Sequence, residues 1–346
     1  MKSRDAIQRL EALPKVDLGF FPTPLHRLNR LSAKYGVDLY MKRDDLSGPE
    51  FGGNKIRKLT FLLGDALRKG AEYVFTFGAH QSNHARETAA ACRRCGLKPV
   101  LYLVCLAEGG RPRDCLGNLL LDKVLGAEIH YITPEPGVSA YESVERSYLA
   151  ALQQVEILEK AGHRCYVIPV GGLDPVGCIG FLWGFAELAE QLEKRNLALD
   201  YIVHATGSGG TLAGLLAGKK LRDAGVRILA FSVDREPPGK REAIAEMANR
   251  TLTLLGGDGT VAPAEVNLVT DYYGKGYEIP SPDSTAAMNE LALEEGIILD
   301  PVYTAKAMAG LLDYVRKGVI PKGSKVLFWH TGGTPAIFAE PEIVWG

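Results

Sequence analysis

Short runs of β-branched, aliphatic and aromatic residues recur along the chain, at Leu39–Lys42, Tyr73–Phe77, Val100–Cys105, Ile129–Ile132, Tyr166–Pro169, Tyr201–His204, Ile228–Val233 and Val326–His330. Their length and residue types predict strands. Between most of them lie helical stretches, over Lys55–Lys69, His84–Cys95, Ala140–Ala161, Val176–Glu193, Gly210–Asp223, Pro282–Glu295 and Thr304–Lys317. Strands alternating with helices form βαβ units, so the pattern predicts an α/β architecture of mostly parallel sheets packed between helices.

At 346 residues the chain is long enough for two domains. No repeat, low-complexity tract or flexible linker marks a boundary. The breaks are short, at the Gly-rich Ser47–Asn54, at the turn around Pro134–Gly137 and at Val170-Gly-Gly-Leu-Asp-Pro175. Two units joined by such short crossings imply one inserted in the other. The expected larger unit is Met1–Arg57 with Gly171–Gly346, and the smaller is Lys58–Val170.

Lys plus Arg is 40 and Asp plus Glu is 41, a formal charge of −1. That balance argues against a surface for nucleic acid or anionic membrane, which needs a basic excess. No apolar run reaches the ~18–20 residues that span a bilayer. The start, MKSRDAIQRLEALPKVDLGFF, has charges where a signal peptide has its apolar core. A cytoplasmic protein is expected. Six cysteines in a chain this long suit a reducing compartment. Cys92-Arg-Arg-Cys95 matches C-x-x-C, but it lies in a helical run with no second pair to complete a zinc site, so ordinary thiols and no metal are expected. The 39 glycines, roughly 11% against a usual ~7%, belong in turns where backbone approaches a ligand.

Three glycine-bearing segments sit at strand–helix junctions. Gly52-Gly-Asn-Lys-Ile-Arg-Lys58 places a lysine at a helix start. It reads either as a loop before an exposed basic helix or as a lysine whose amine meets a carbonyl. The second use needs a pKa lowered by desolvation or nearby positive charge, for which Arg57 and Lys58 are at hand. Gly78-Ala-His-Gln-Ser-Asn-His-Ala-Arg86 brings donors from Gln81, Ser82, Asn83 and His84 to a helix N-terminus, where anions are favoured. The plainer alternative makes Ser82 or Asn83 an N-cap. Ser82 with His84 also reads as a nucleophile–base pair, with no third group to complete it. Ala205-Thr-Gly-Ser-Gly-Gly-Thr211 offers N–H groups and hydroxyls as a phosphate cradle. It lacks the Gly-Lys-Ser/Thr of a P-loop, and Leu212 stands where a dinucleotide fingerprint needs its third glycine. A phosphate monoester fits better.

Pyridoxal phosphate would use all three segments. Its aldehyde needs a lysine, its phosphate an N–H cradle, and its ring hydroxyl a donor such as Asn83. The chain resembles the tryptophan-synthase-β-like (fold type II) pyridoxal-phosphate enzymes, and within them the D-cysteine desulfhydrase/1-aminocyclopropane-1-carboxylate deaminase family. The resemblance runs in order through Phe21-Pro-Thr-Pro-Leu25, Lys42-Arg-Asp-Asp45, Gly53-Asn-Lys-Ile-Arg-Lys-Leu59 and Gln81-Ser-Asn-His84. It continues through Thr206–Thr211, Gly274-Lys-Gly-Tyr277, Asp300-Pro-Val-Tyr-Thr304 and His330-Thr-Gly-Gly333.

The resemblance implies two open, twisted, mostly parallel sheets flanked by helices, with the cofactor in the cleft between the domains, and a homodimer. It implies Lys55 as the Schiff-base lysine and α-proton base. Lys58 with Thr206, Gly207, Ser208, Gly209, Gly210 and Thr211 would hold the phosphate. Asn83 would meet the ring hydroxyl, and Thr331 would face the pyridine nitrogen. Gln81, Ser82 and His84 match the loop for the substrate carboxylate, and Tyr277 and Tyr303 two tyrosines on the substrate side. Lys55, Ser82, Tyr277 and Tyr303 are the implied catalytic set.

The implied reaction is α,β-elimination from a small β-substituted amino acid, first of all D-cysteine to pyruvate, hydrogen sulfide and ammonia. L-cysteate sulfo-lyase and cyclopropane deaminase are the neighbouring alternatives, and a non-catalytic pyridoxal-phosphate carrier is the alternative of another class. After Asp-Pro-Val-Tyr the cyclopropane deaminases carry a glutamate that reaches the pyridine nitrogen, whereas this chain has Thr304. Where relatives commonly have Gly-Tyr-Gly, it has Gly276-Tyr277-Glu278. A sulfonate substrate needs a further anion site, for which Lys275 and Arg86 are the candidates.

Overall fold

The computed structural model describes residues 2–105, 114–134, 140–257 and 259–340. Met1 and the 341–346 tail of the expected larger unit, and residues 135–137 of the expected break at Pro134–Gly137, lie outside the described residues. The strands sort into two sheets. The larger contains β1 (Leu25–Arg27), β2 (Asp38–Arg43), β7 (Tyr201–Thr206), β8 (Arg227–Ser232), β9 (Asn267–Val269) and β10 (Lys325–His330), in the spatial order β1-β2-β10-β7-β8-β9. Within it only β1 runs antiparallel to its neighbour. The smaller contains β3 (Tyr73–Ala79), β4 (Lys98–Val104), β5 (Glu128–Ile132) and β6 (Cys165–Val167), in the order β5-β4-β3-β6, all parallel.

Both faces of the large sheet are covered, which is why its central strands read as nearly continuous apolar runs. Ile202, Leu327 and Trp329 join the cluster built on α7 (Pro175–Lys194), α8 (Gly210–Leu221) and α9 (Lys240–Leu254). Their neighbours Tyr201, Val203, Val326 and Phe328 join the opposite cluster, with α10 (Pro282–Glu295) and α11 (Thr304–Arg316). The two-residue alternation of a strand thus feeds two separate cores. Among the described residues no helix is long and apolar enough to cross a membrane.

In each sheet the strand order reverses once, between β10 and β7 and between β3 and β6. Loops leaving the carboxyl ends there diverge to opposite faces and open a crevice. The two crevices meet. A Cβ added to Gly171, beyond β6, would lie 2.7 Å from Ser208 Oγ, beyond β7. One added to Gly333, beyond β10, would lie 2.8 Å from Asn83 Nδ2, at the start of α4 (Asn83–Arg94).

All eight expected strands and seven expected helices are present, with ends differing by a residue or two. Not expected were β1 and β9, three residues each, and the helices α1 (Lys2–Ala12), α2 (Asn29–Tyr35), α5 (Gly117–Val124) and α9. A three-residue strand such as Leu25-His-Arg27 carries too little alternation to show a period.

Candidate active site

Lys55 opens α3 (Asn54–Arg68), the helix after Gly52 (φ 58°) and Gly53 (φ 134°). A side chain at Gly53 would put its Cβ 2.3 Å from Glu87 Oε1. The bare glycine lets the Glu87 carboxylate stand under the helix, where Oε2 accepts from the N–H groups of Lys55 (2.9 Å) and Ile56 (3.1 Å). Glu87 therefore caps a terminus whose own N-cap residue has no side chain. Burial pushes the Glu87 carboxyl up to about 6.

Lys55 Nζ donates to Asn54 Oδ1 at 2.8 Å. Burial holds this amine below the usual lysine range; Glu87 opposes the shift and Arg86 adds to it. Arg57, expected to help, faces elsewhere. Its guanidinium is fully buried and bonds Asp44 (2.8 and 2.9 Å) and Glu187 (2.9 and 3.0 Å). Lys42 Nζ completes the set on Glu187, with further bonds to Gln191 Oε1 and Thr23 O. Phe21, Trp183 and Trp329 surround the guanidinium.

The backbone of α3 lies directly on α7. A Cβ on Gly180 would be 2.3 Å from Arg57 O and 2.7 Å from Lys58 N. Lys58, one turn beyond Lys55, donates to Gly171 O at 2.8 Å. Burial lowers its amine to about 7; the Cys178 thiol opposes that and Lys55 adds to it. A Cβ on Gly210 would be only 2.6 Å from Lys58 Nζ, so the amine rests against the 206–211 loop. Asn54 Nδ2 donates to Thr211 Oγ1 at 3.0 Å and ties that loop to the lysine's helix.

The loop enters α8 through Gly209 (φ 94°), with no side-chain cap. The first N–H groups of that helix are left open, and Thr206 Oγ1 is buried without a partner. Open N–H groups, an orphaned hydroxyl and a buried amine form a donor set that fits the phosphate of pyridoxal phosphate.

The Ser82–Asn83 alternatives resolve in part. Ser82 is the N-cap of α4, its Oγ accepting from Ala85 N at 3.2 Å. Asn83 Oδ1 accepts from Asn118 Nδ2 at 2.8 Å. The Gln81 amide is spent on α5, donating to Leu116 O and accepting from Asn118 N. His84 is buried with Nε2 2.8 Å from Thr76 Oγ1, and burial together with Lys55 and Lys58 pushes it well below its usual value. It is a neutral imidazole, and its bond goes to Thr76 rather than to Ser82.

Across the crevice, Tyr277 and Tyr303 share a hydroxyl–hydroxyl bond of 2.5 Å. Burial raises both phenols, so both stay neutral. Tyr303 also borders the loop, 3.5 Å from a Cβ placed on Gly207. Asp300 organises this corner, accepting from Val302 N, Tyr303 N and Thr304 N. It accepts from Thr304 Oγ1 as well, at 2.6 Å, so the Thr304 hydroxyl is committed inside the turn. Thr331 is buried, and its carbonyl oxygen accepts from Asn54 N at 2.9 Å, next to Lys55 in the chain.

Of the two candidates for a sulfonate, Lys275 is exposed, and Arg86 is fully buried and bonded to Glu50 O, Gly52 O and Asn118 Oδ1. Cys92 is buried in α4 with its thiol pushed up by burial, and all six cysteines are free. Glu87 escaped the sequence reading. The available signal was an acidic residue on the buried face of a predicted helix.

A family model for pyridoxal-phosphate dependent enzymes matches residues 16–332. A Thermotoga maritima protein, provisionally named a 1-aminocyclopropane-1-carboxylate deaminase, is 42% identical over 94% of this chain and 98% of its own. A D-cysteine desulfhydrase of Serratia proteamaculans is 37% identical over 97% of this chain and 99% of its own. The crystal structure of an ACC deaminase homologue matches with a TM-score of 0.87 at 37% identity, covering 99% of this chain and 98% of that one.

Proposed function

The chain belongs to the pyridoxal-phosphate dependent enzymes, in the group of 1-aminocyclopropane-1-carboxylate deaminases and D-cysteine desulfhydrases, and from that membership we propose a carbon–sulfur lyase acting on D-cysteine or a close β-substituted analogue. When bound, pyridoxal phosphate supplies an aldehyde that condenses with amines and a conjugated ring that takes up the electrons released at a substrate Cα. Lys58, the open N–H groups of the 206–211 loop and the Thr206 hydroxyl would hold its phosphate. Asn83 and Thr331 would border its ring.

Lys55 carries the proton. Its desolvated amine is held below the usual range, which leaves more of it as free base to take the Cα proton. Asn54 orients that amine, and Glu87 fixes the helix end that carries it. The paired phenols of Tyr277 and Tyr303 give the substrate side a neutral donor and acceptor. Ser82, at the N-terminus of α4, supports the substrate carboxylate where anions are favoured.

One position carries the choice of D-cysteine. Where a cyclopropane deaminase has a glutamate for the pyridine nitrogen, this chain has Thr304, whose hydroxyl is locked onto Asp300. A neutral hydroxyl such as that of Thr331 does not hold a proton on that nitrogen. The weaker electron sink favours prompt loss of a β-substituent over ring opening. A panel of D-cysteine, L-cysteine, L-cysteate, 3-chloro-D-alanine and 1-aminocyclopropane-1-carboxylate, read by ammonia and 2-oxo acid, tests this. Elimination from D-cysteine or the chloro analogue should exceed ring opening by at least ~100-fold, the ratio for about 3 kcal/mol of barrier. Comparable rates would overturn the assignment.

A further inference from the structure

Glu278 is a residue on the substrate side that the steps above leave unused. Its backbone is left-handed, at φ 63°, a conformation that suits glycine and strains a glutamate. Its Oε1 is buried without a hydrogen-bond partner. Buried acceptors are normally paired, and strain of this kind persists where a site requires it. Burial, then the nearby charge of Glu340, pushes the carboxyl up to about 7. Its own charge in turn raises Tyr277 and Tyr303, so the carboxyl stands within reach of the paired phenols.

Among the described residues no cation answers it. Lys306 Nζ is spent on Gly276 O and Val233 O, Lys275 is exposed, and Arg86 is buried around the 50–52 loop. Asp234, which accepts from Tyr277 N, adds another acid to this wall.

We propose that Glu278 sets the charge class of the substrate's β-substituent, admitting groups that donate a hydrogen bond or carry positive charge and turning away anions. The inference rests on the lyase reading, which places the β-substituent beside the tyrosines. A thiol or an ammonium group gives Oε1 the donor it lacks. A sulfonate or carboxylate meets like charge.

Binding to the cofactor-loaded protein, read from its visible absorbance near pH 8, tests this with serine, 2,3-diaminopropionate and cysteate as both enantiomers. In the wild type cysteate should bind at least ~30-fold more weakly than serine, and diaminopropionate at least as tightly as serine. Glu278→Gln should close the cysteate gap to within ~5-fold, and in the wild type the gap should narrow as the pH falls below 7. A second readout needs no cofactor. A carboxyl raised from 4.5 to about 7 contributes stability that is present below pH 4.5 and lost as the pH rises through 7. Glu278→Gln should therefore melt progressively higher than the wild type across that window, while Glu278→Gly reports whether the fold tolerates loss of the side chain. Tight cysteate binding by the wild type, or an unchanged gap in Glu278→Gln, overturns the inference. The expected charge order without pyruvate release from D-cysteine would support it and refute the lyase reading instead.

Discussion

Gly180→Ala is the sharpest single test of how α7 positions the lysine. The added Cβ would sit 2.3 Å from Arg57 O, 2.4 Å from Arg57 C and 2.7 Å from Lys58 N, all backbone atoms that cannot rotate away. Reaching even 3.0 Å requires α3 and α7 to part by at least 0.7 Å. Overpacking of this kind costs about 1–3 kcal/mol, a fall in melting temperature of roughly 1–4 °C for a chain of this length. The larger effect falls on chemistry, because Arg57 is two residues from Lys55 and a shift near 1 Å can cost ~100-fold in turnover. Gly184→Ala, whose Cβ meets only the Arg57 side chain at 3.1–3.4 Å, should be milder. Gly225→Ala, with nothing within 4 Å, should be neutral. Differential scanning calorimetry with steady-state rates on the three variants gives the ranking. A Gly180→Ala protein with wild-type melting and turnover would refute the close-packed account of this helix pair.

Lys55→Ala should lose the visible absorption of the loaded protein and essentially all turnover, while phosphate contacts retain some cofactor; normal absorbance and activity would assign the role to another lysine. Arg57→Met leaves Asp44 and Glu187 with Lys42 alone, a loss of about 3–5 kcal/mol in urea unfolding, and a cost under about 1 kcal/mol would refute the charge accounting. Asp122, buried with neither oxygen bonded, has its carboxyl raised from 3.8 to about 8 by burial, with Arg86 opposing. Its stabilising share is present below pH 3.8 and fades as the pH rises toward 8, so Asp122→Asn should gain on the wild type across that range in pH-dependent melting.

Lys55 and the 206–211 loop stand out in the sequence as glycine-bearing strand–helix junctions, their roles come from the family resemblance, and the structure adds that the Asn54–Thr211 bond brings the two segments together. Arg57 shows where spacing misleads. At about 100° per residue, positions 55 and 57 point to nearly opposite sides of a helix, while Lys58, three residues on, shares the face of Lys55. Glu87 shows in the sequence only as an acid on the buried face of a predicted helix; its role depends on Gly53, a residue 34 positions away in the chain whose missing side chain makes room for it. Thr304 was visible as a departure from the deaminase pattern, but its commitment to Asp300 is a property of the folded turn. Gln81 and His84 were legible as polar groups at a helix start, whereas their partners Asn118 and Thr76 come from other elements.

The buried set of Lys42, Asp44, Arg57 and Glu187 also bears on how this protein can change over generations. Two positive and two negative groups cancel, so any single replacement that removes a charge passes through an intermediate with an unmatched ion in the core. At about 3–5 kcal/mol that intermediate forfeits a large share of the 5–15 kcal/mol that keeps a typical domain folded. A lineage can leave the arrangement only by compensating pairs of substitutions or by exchanging the whole set for apolar residues. The four positions should therefore be inherited as a block, and Phe21, Trp183 and Trp329, which enclose the guanidinium, should travel with them.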